Sequence, residues 1–214
     1  VSAIIFTLTF GLFVRMAANR VRQEATKHAH SELSNTIHQI DAVLNAVETA
    51  VENTAWLVPY RLSSPEFMYA LTERLLQNND FICGAAVAFE PGYYASKGHY
   101  YSPYSYRDEN GEIKSKQLGN DAYDYHYMDW YQIPKLLNES YWSEPYYDDG
   151  GGEMMMTTYS KPLYDEYGNL YAVLTADLSL EWLTELVSGI QAFDNAYNLM
   201  VSRNASYIVH PDRN

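Results

Sequence analysis

The chain opens on fourteen uncharged, mostly apolar residues, Val1 to Val14 (VSAIIFTLTFGLFV). A spanning helix needs about 20 such residues. The run therefore predicts the end of a transmembrane helix, residues 1–18, whose remainder precedes Val1. No A-x-A-like site follows it, which argues against a signal peptide. Helix formers then continue from Ala17 to Leu57, with no Gly or Pro before Pro59. Within them Leu33, Ile37, Ile40, Leu44, Val47 and Val51 are spaced 4, 3, 4, 3 and 4 apart, an a/d heptad stripe. Residues 19–58 thus read as a long signalling helix. Its narrow apolar seam packs on the chain's own domain or pairs with a second copy as a homodimer. On a helix this long both can hold at different points.

Beyond Pro59 short helical and strand patterns alternate. Pro65 to Gln77 reads as a helix with Phe67, Leu71 and Leu75 on one face, and Phe81 to Phe89 (FICGAAVAF) as a buried strand. Tyr100 to Arg107 and Glu112 to Leu118 flank Asp108-Glu109-Asn110-Gly111, a hairpin signal. Asp129 to Leu137 reads as a short helix limited by Pro134. Ser140 to Gly152 reads as a loop. Met154 to Leu163 and Leu170 to Leu178 form a second hairpin about Asp165-Glu166-Tyr167-Gly168-Asn169, and Ser179 to Ile190 is an amphipathic helix. This order predicts an α+β module, an antiparallel sheet with helices outside it, over residues 59–192. Tyr197 to Val201 and Tyr207 to Val209 read as one more hairpin, the start of a truncated second module over residues 193–214.

Composition narrows the function. The net charge is −13 over 214 residues, so a basic nucleic-acid footprint is excluded. Hydrophobic residues at 47% exclude disorder. The single cysteine, Cys83, excludes a disulfide framework and reads as a small buried hydrophobe. Tyrosine is abundant: 17 of the 21 lie between Tyr93 and Tyr171. Between Glu139 and Glu181 there are nine acids against one base, Lys161. A carboxylate or phosphate ligand would be repelled there. An ammonium would gain charge-assisted hydrogen bonds and aromatic faces.

The run Tyr123 … Asp129-Trp130-Tyr131-Gln132-Ile133-Pro134, then Trp142-Ser143-Glu144-Pro145-Tyr146, Thr158-Tyr159-Ser160-Lys161-Pro162-Leu163 and Thr175-Ala176-Asp177-Leu178-Ser179-Leu180, resembles a double Cache domain. These are extracytoplasmic sensor domains of bacterial membrane receptors. His210-Pro211-Asp212 resembles the end of the first hairpin of the membrane-proximal module. The stretch Gly150 to Ser160 is similar to Cache receptors of gut Bacteroidales, whose output is often a SpoIIE-type phosphatase or a histidine kinase. The resemblance implies a PAS-like distal module that binds a small molecule, an inner-membrane protein with its sensor in the periplasm, and no catalysis or cofactor in this part. It also implies the site. Tyr123, the pair Trp130-Tyr131, and the acids Asp148 (with Asp149 a one-residue alternative) and Asp177 fall on the family's amino-acid-binding pattern, in which the acids hold the ammonium. The position of the arginine that would hold its carboxylate is Met128, which turns the expected ligand from amino acids toward amines. One feature opposes the topology: Arg15, Arg20, Arg22 and Lys27 would place that flank of the helix in the cytoplasm by the positive-inside rule.

Plainer readings compete for the same residues. Asp177 can cap the helix that follows it, and Asp148-Asp149-Gly150 can be a turn. Trp130 and Trp142 can be core. The glycine triplet lacks phosphate-loop spacing, and the acidic loop lacks EF-hand spacing. His28 and His30 lie on different helix faces, His99, His126 and His210 are scattered in sequence, and Met154-Met155-Met156 alternates as core does, so no metal site is expected. A membrane-tethered carbohydrate-active enzyme would draw two carboxylates from Glu144, Asp148 and Glu153, with nothing in the sequence to select the pair.

Overall fold

The computed structural model describes residues 2–190 and 197–210. Helix α1 (Ser2–Ala55) is continuous from the apolar run into the heptad stripe. It contains an 18-residue window of mean hydropathy 1.4, none of it buried against the rest of the chain. The stripe divides along its length. Val47 and Val51 are buried against the sheet, and Ile40 packs on a smaller cluster near the C-terminus. Leu33 and Ile37 remain 51% and 48% exposed.

A turn at Pro59–Arg61 leads to α2 (Phe67–Gln77), which buries Met68, Leu71, Leu75 and Leu76. The sheet comprises β1 (Ile82–Phe89), β2 (Pro103–Arg107), β3 (Ile113–Gln117), β4 (Tyr141–Trp142), β5 (Tyr146–Tyr147), β6 (Met155–Tyr164) and β7 (Leu170–Ser179). Its order is β3-β2-β1-β7-β6-β4, with β5 also paired to β6, and every pairing is antiparallel. The chain is thus an α+β fold, a long N-terminal helix followed by a PAS-like antiparallel sheet. Both hairpin loops use one device. Asp108 Oδ1 accepts from the amides of Asn110 and Glu112, and Asp165 Oδ1 from those of Tyr167 and Asn169. Gly111 and Gly168 then supply the positive φ, at 76° and 82°.

The two faces of the sheet bury different material. One packs on α1 and α2 through Val47, Val51, Leu75, Val87, Phe89 and Leu174. The other carries Tyr104, Tyr125, Trp130 and Tyr131 against Ala86, Ala88 and Val173. Small residues on the central strands leave room there for large rings. Helix α3 (Asp129–Leu137) covers this aromatic face. It has the expected bounds and stays short, with little more than one turn on either side of Pro134, and stops at Asn138, which adopts a left-handed φ of 57°. The segment Ser140 to Gly152, read as a loop, contributes the two-residue strands β4 and β5. Helix α4 (Leu180–Ser188) is capped by Ser179, whose hydroxyl accepts from the Glu181 amide. It packs with β8 (Met200–Val201) and β9 (Tyr207–Val209) about Leu183, Val187 and Val209. Of the proposed His210-Pro211-Asp212 element, Pro211 and Asp212 lie outside the described residues.

Candidate functional site

Alternation along the strands selects which side chains reach the aromatic face. Gly84, Asp177 and Thr158 stand in register across β1, β7 and β6, and Ala86, Thr175 and Ser160 form the next rank. The β1–β7 register shifts between Ile82 and Gly84, a bulge at Cys83. Bulges re-aim neighbouring side chains. Here the glycine opposite Asp177 leaves the carboxylate its space: a Cβ at Gly84 would overlap Asp177 Oδ2 and the Tyr104 hydroxyl. Cys83 is half-buried rather than fully buried, and its thiol donates to the Asp177 carbonyl at 3.2 Å.

Asp177 and Asp148 are 4% and 5% exposed. The Thr158 hydroxyl donates to Asp177 Oδ1 at 2.8 Å, which leaves the Tyr146 hydroxyl, 2.7 Å from Thr158 Oγ1, as donor to Thr158. Burial, and then the nearby charge of Asp148, push Asp177 up to about 7. Burial also raises Asp148, against the opposing pull of the Gly152 amide and the Tyr123 hydroxyl, which donate to it at 2.5 and 3.2 Å. The Tyr104 hydroxyl is buried between the acids. It lies close enough to Asp177 to lower its pKa, yet makes no well-formed hydrogen bond. The Ser160 hydroxyl is likewise buried and unpartnered, and the buried Trp130 indole N–H lies close enough to the Tyr123 hydroxyl to lower its pKa without a well-formed hydrogen bond. Buried polar groups are nearly always paired, so this group of poorly satisfied atoms on one face makes it the candidate site for a ligand's polar atoms.

The fold therefore brings together Tyr123, Trp130, Asp148 and Asp177. Tyr131 is buried beside them in the aromatic cluster, but its hydroxyl donates to Glu90 at 2.6 Å, where Lys135 also binds. Asp177 does not cap α4. Asp148 does close the glycine turn, accepting through its carbonyl from Glu153 N at 3.0 Å, and it holds a buried carboxylate as well. Met128 precedes α3 and packs into the aromatic cluster. The three acids weighed for glycoside chemistry separate: Glu144 lines a different cavity of about 190 Å³, and exposed Glu153 accepts from the Gly150 amide.

Sequence reasoning missed Gly84, Tyr104, Lys116, Tyr146 and Thr158. Lys161, the base counted beside the acids, points to the other face and pairs with Glu52 at 2.6 Å. Lys116 on β3 instead approaches the site from a strand distant in sequence. Its Nζ donates to the Gly151 carbonyl at 2.8 Å, lies 4.9 Å from the Tyr106 ring centre, and pulls the pKa of Asp148 down. The strand alternation Tyr146-x-Asp148 was a legible signal for Tyr146. None pointed to Lys116.

Residues 68–185 match the family model for the methyl-accepting chemotaxis protein-like first PDC sensor domain, and the chain belongs to that family. Solved structures agree. The extracellular domain of the candidate histidine kinase soHK1S-Z6 is 27% identical, with a TM-score of 0.62 over 71% of this chain. The chain spans 58% of that domain's length. Methyl-accepting chemotaxis protein X has the same fold at 19% identity, with a TM-score of 0.76 over 90% of this chain and 76% of that one. So does the ligand-binding domain of the Pseudomonas aeruginosa PAO1 amino acid chemoreceptor PctB in complex with L-Gln: 21% identity, TM-score 0.61, 86% of this chain and 67% of that one. No curated protein matches the chain. The chain carries a sensor domain like those of chemoreceptors and histidine kinases.

Proposed function

We propose that this sensor is the extracytoplasmic part of an inner-membrane receptor and binds a small molecule through an ammonium group held by Asp148 and Asp177. One observation carries the reading: two buried carboxylates share a site, and neither forms a salt bridge among the described residues. Buried carboxylates without a counter-charge are costly, and a cationic ligand relieves both at once. Trp130, Tyr123, Tyr104 and Tyr146 offer ring faces, each worth roughly 0.5–2 kcal/mol to a desolvated cation.

The same strands offer a route to the membrane. Thr158 and Asp177 face the ligand, while their neighbours on β6 face α1. Tyr159 donates to Glu52 at 3.2 Å, and Lys161 pairs with it. The Trp142 indole donates to Glu48 at 2.8 Å. A ligand that draws β6 and β7 together at Thr158 and Asp177 displaces the opposite face of those strands against α1. α1 then relays the shift to a cytoplasmic phosphatase or histidine kinase, with the exposed Leu33 and Ile37 pairing two copies. The ligand must bind the two states with different affinity for this to signal.

A second reading, an α-amino acid, is favoured by Lys116. Its charge acts on Asp148, so it could answer a ligand's carboxylate where Met128 stands in place of the family's arginine. A thermal-shift screen with amines, amino acids and carboxylates separates the readings. Ligand at a hundredfold excess over Kd stabilises by about 2.7 kcal/mol. Amines should stabilise the wild type and lose this effect in Asp177→Asn. Stabilisation by carboxylates that lack an ammonium would sink both readings. Loss of amino-acid but not amine binding in Lys116→Met selects the second.

A further inference from the structure

We propose that His99, Asp124 and His126 form a binding site for a divalent transition-metal ion of the zinc type, separate from the acid pair. The two histidines lie 27 positions apart and look unrelated in sequence. The fold sets their rings 5.5 Å apart, and one ligand atom from each of the three residues lies within 4.8 Å of the others. Tetrahedral zinc with bonds of about 2.0–2.1 Å needs donors about 3.4 Å apart. His126 Nδ1 and Asp124 Oδ1 are already 2.9 Å apart, so rotation of the exposed His99 ring closes the set.

The hydrogen bonds of His126 point the same way. Its Nδ1 faces the Asp124 carboxylate, and its Nε2 faces the Phe89 carbonyl at 3.2 Å. Both neighbours are acceptors. A neutral imidazole has one N–H, so either tautomer leaves a ring lone pair directed at an oxygen. A cation between Nδ1 and Oδ1 resolves the conflict, while Nε2–H donates to the carbonyl. That outer bond is the usual support of a metal-bound histidine. Asp124 is held in turn. It precedes the short helical turn Tyr125–Tyr127, accepts from the His126 amide at 3.0 Å, and takes the Tyr100 hydroxyl on its other oxygen at 3.3 Å. His126 is buried and His99 is exposed, which gives the ion a fixed anchor and an entry path. Three protein donors leave one position for water. Occupancy would tie the segment between β1 and β2 to the turn that leads into α3, and so stiffen one wall of the ligand site.

A second proton on His126 would also satisfy both acceptors, and zinc titration distinguishes the two. Isothermal titration of the whole chain in detergent with ZnCl₂ alone should show one zinc per chain. Co²⁺ in its place should give the visible absorption of a tetrahedral ion. His99→Ala, at an exposed position and with its fold checked by circular dichroism, and Asp124→Asn should each weaken zinc binding by about tenfold or more. No zinc uptake, or uptake unchanged in both variants, overturns the proposal. The first result assigns the pair to a proton, and the second places zinc on other histidines.

Discussion

Thr158 on β6 lies directly across the ladder from Asp177 on β7, and its hydroxyl donates a 2.8 Å hydrogen bond to Asp177 Oδ1. This bond and the Tyr146 hydroxyl behind it orient the carboxylate without neutralising it. The acid is left with a pKa of about 7, against an ordinary value of 3.8. Four expected outcomes rest on this arrangement and on the helix behind it.

The first concerns stability. Asp177 has a folded pKa above its unfolded one, so between about pH 4 and 7 the folded state keeps a proton that the unfolded state has lost. The stability it contributes is full below the unfolded value and is lost as pH rises through the folded one. The ligand-free protein should therefore lose stability over this window, by an amount on the order of a few kcal/mol. Asp177→Asn should flatten that slope and raise the melting temperature at pH 8. An unchanged Tm–pH profile in the variant would mean that Asp177 titrates normally.

Amine binding should show the opposite trend. The ammonium needs the carboxylate form, so affinity should rise with pH up to about 7, by up to about tenfold per unit, and then level off. Thr158→Val removes the donor that favours the charged form. It should move the midpoint of the affinity–pH curve upward, and calorimetry at pH 5.5 to 8.5 would reveal this. A midpoint that stays in place would show that the hydroxyl does not tune the acid.

Gly84 is the place to close the site without touching an acid. Gly84→Ala drives a methyl into Asp177 and the Tyr104 hydroxyl. Overpacking of this kind costs about 1–3 kcal/mol. Ligand-induced thermal stabilisation should vanish in a protein that still folds, and its survival would mean that the ligand sits elsewhere.

The contact between α1 and the sheet is hydrophobic at its centre. Val51 is fully buried there. Val51→Ala should destabilise by about 2 kcal/mol, from lost burial and the cavity left behind. The urea midpoint should fall without a change in slope. The same substitution should loosen α1 and weaken the response of the full receptor at saturating ligand. A full response at unchanged stability would remove α1 from the relay.

Much of this architecture was legible because it rests on local chemistry. The gap-free run from Ala17 to Leu57 had to be helical. Asp108 to Gly111 and Asp165 to Asn169 carried their turn residues in the sequence, and the acids of the site were visible as an excess of charge. The loop from Ser140 to Gly152 hid β4 and β5, because two-residue strands have no period to detect. Lys116 and the His99–His126 pair were invisible for another reason: each is brought to its neighbours by strands or loops far apart in sequence.

The sequence by itself determined the helices and the long strands, their order and the residue types available to a ligand. It did not determine which of those residues share a face. A hairpin paired symmetrically from Tyr164 opposite Leu170 would set Asp177 against Thr157. The structure shifts the register between Leu163 and Tyr164, places Tyr171 as the additional residue, and sets Asp177 against Thr158. A slip of one residue in a strand changes which face a side chain serves. Burial of Val173, Thr175 and Asp177 on one face, and of Ala172, Leu174 and Ala176 on the other, is satisfied only when the whole sheet and both helical layers are in place. Tertiary packing therefore decided the register, and with it the acid pair of the proposed site.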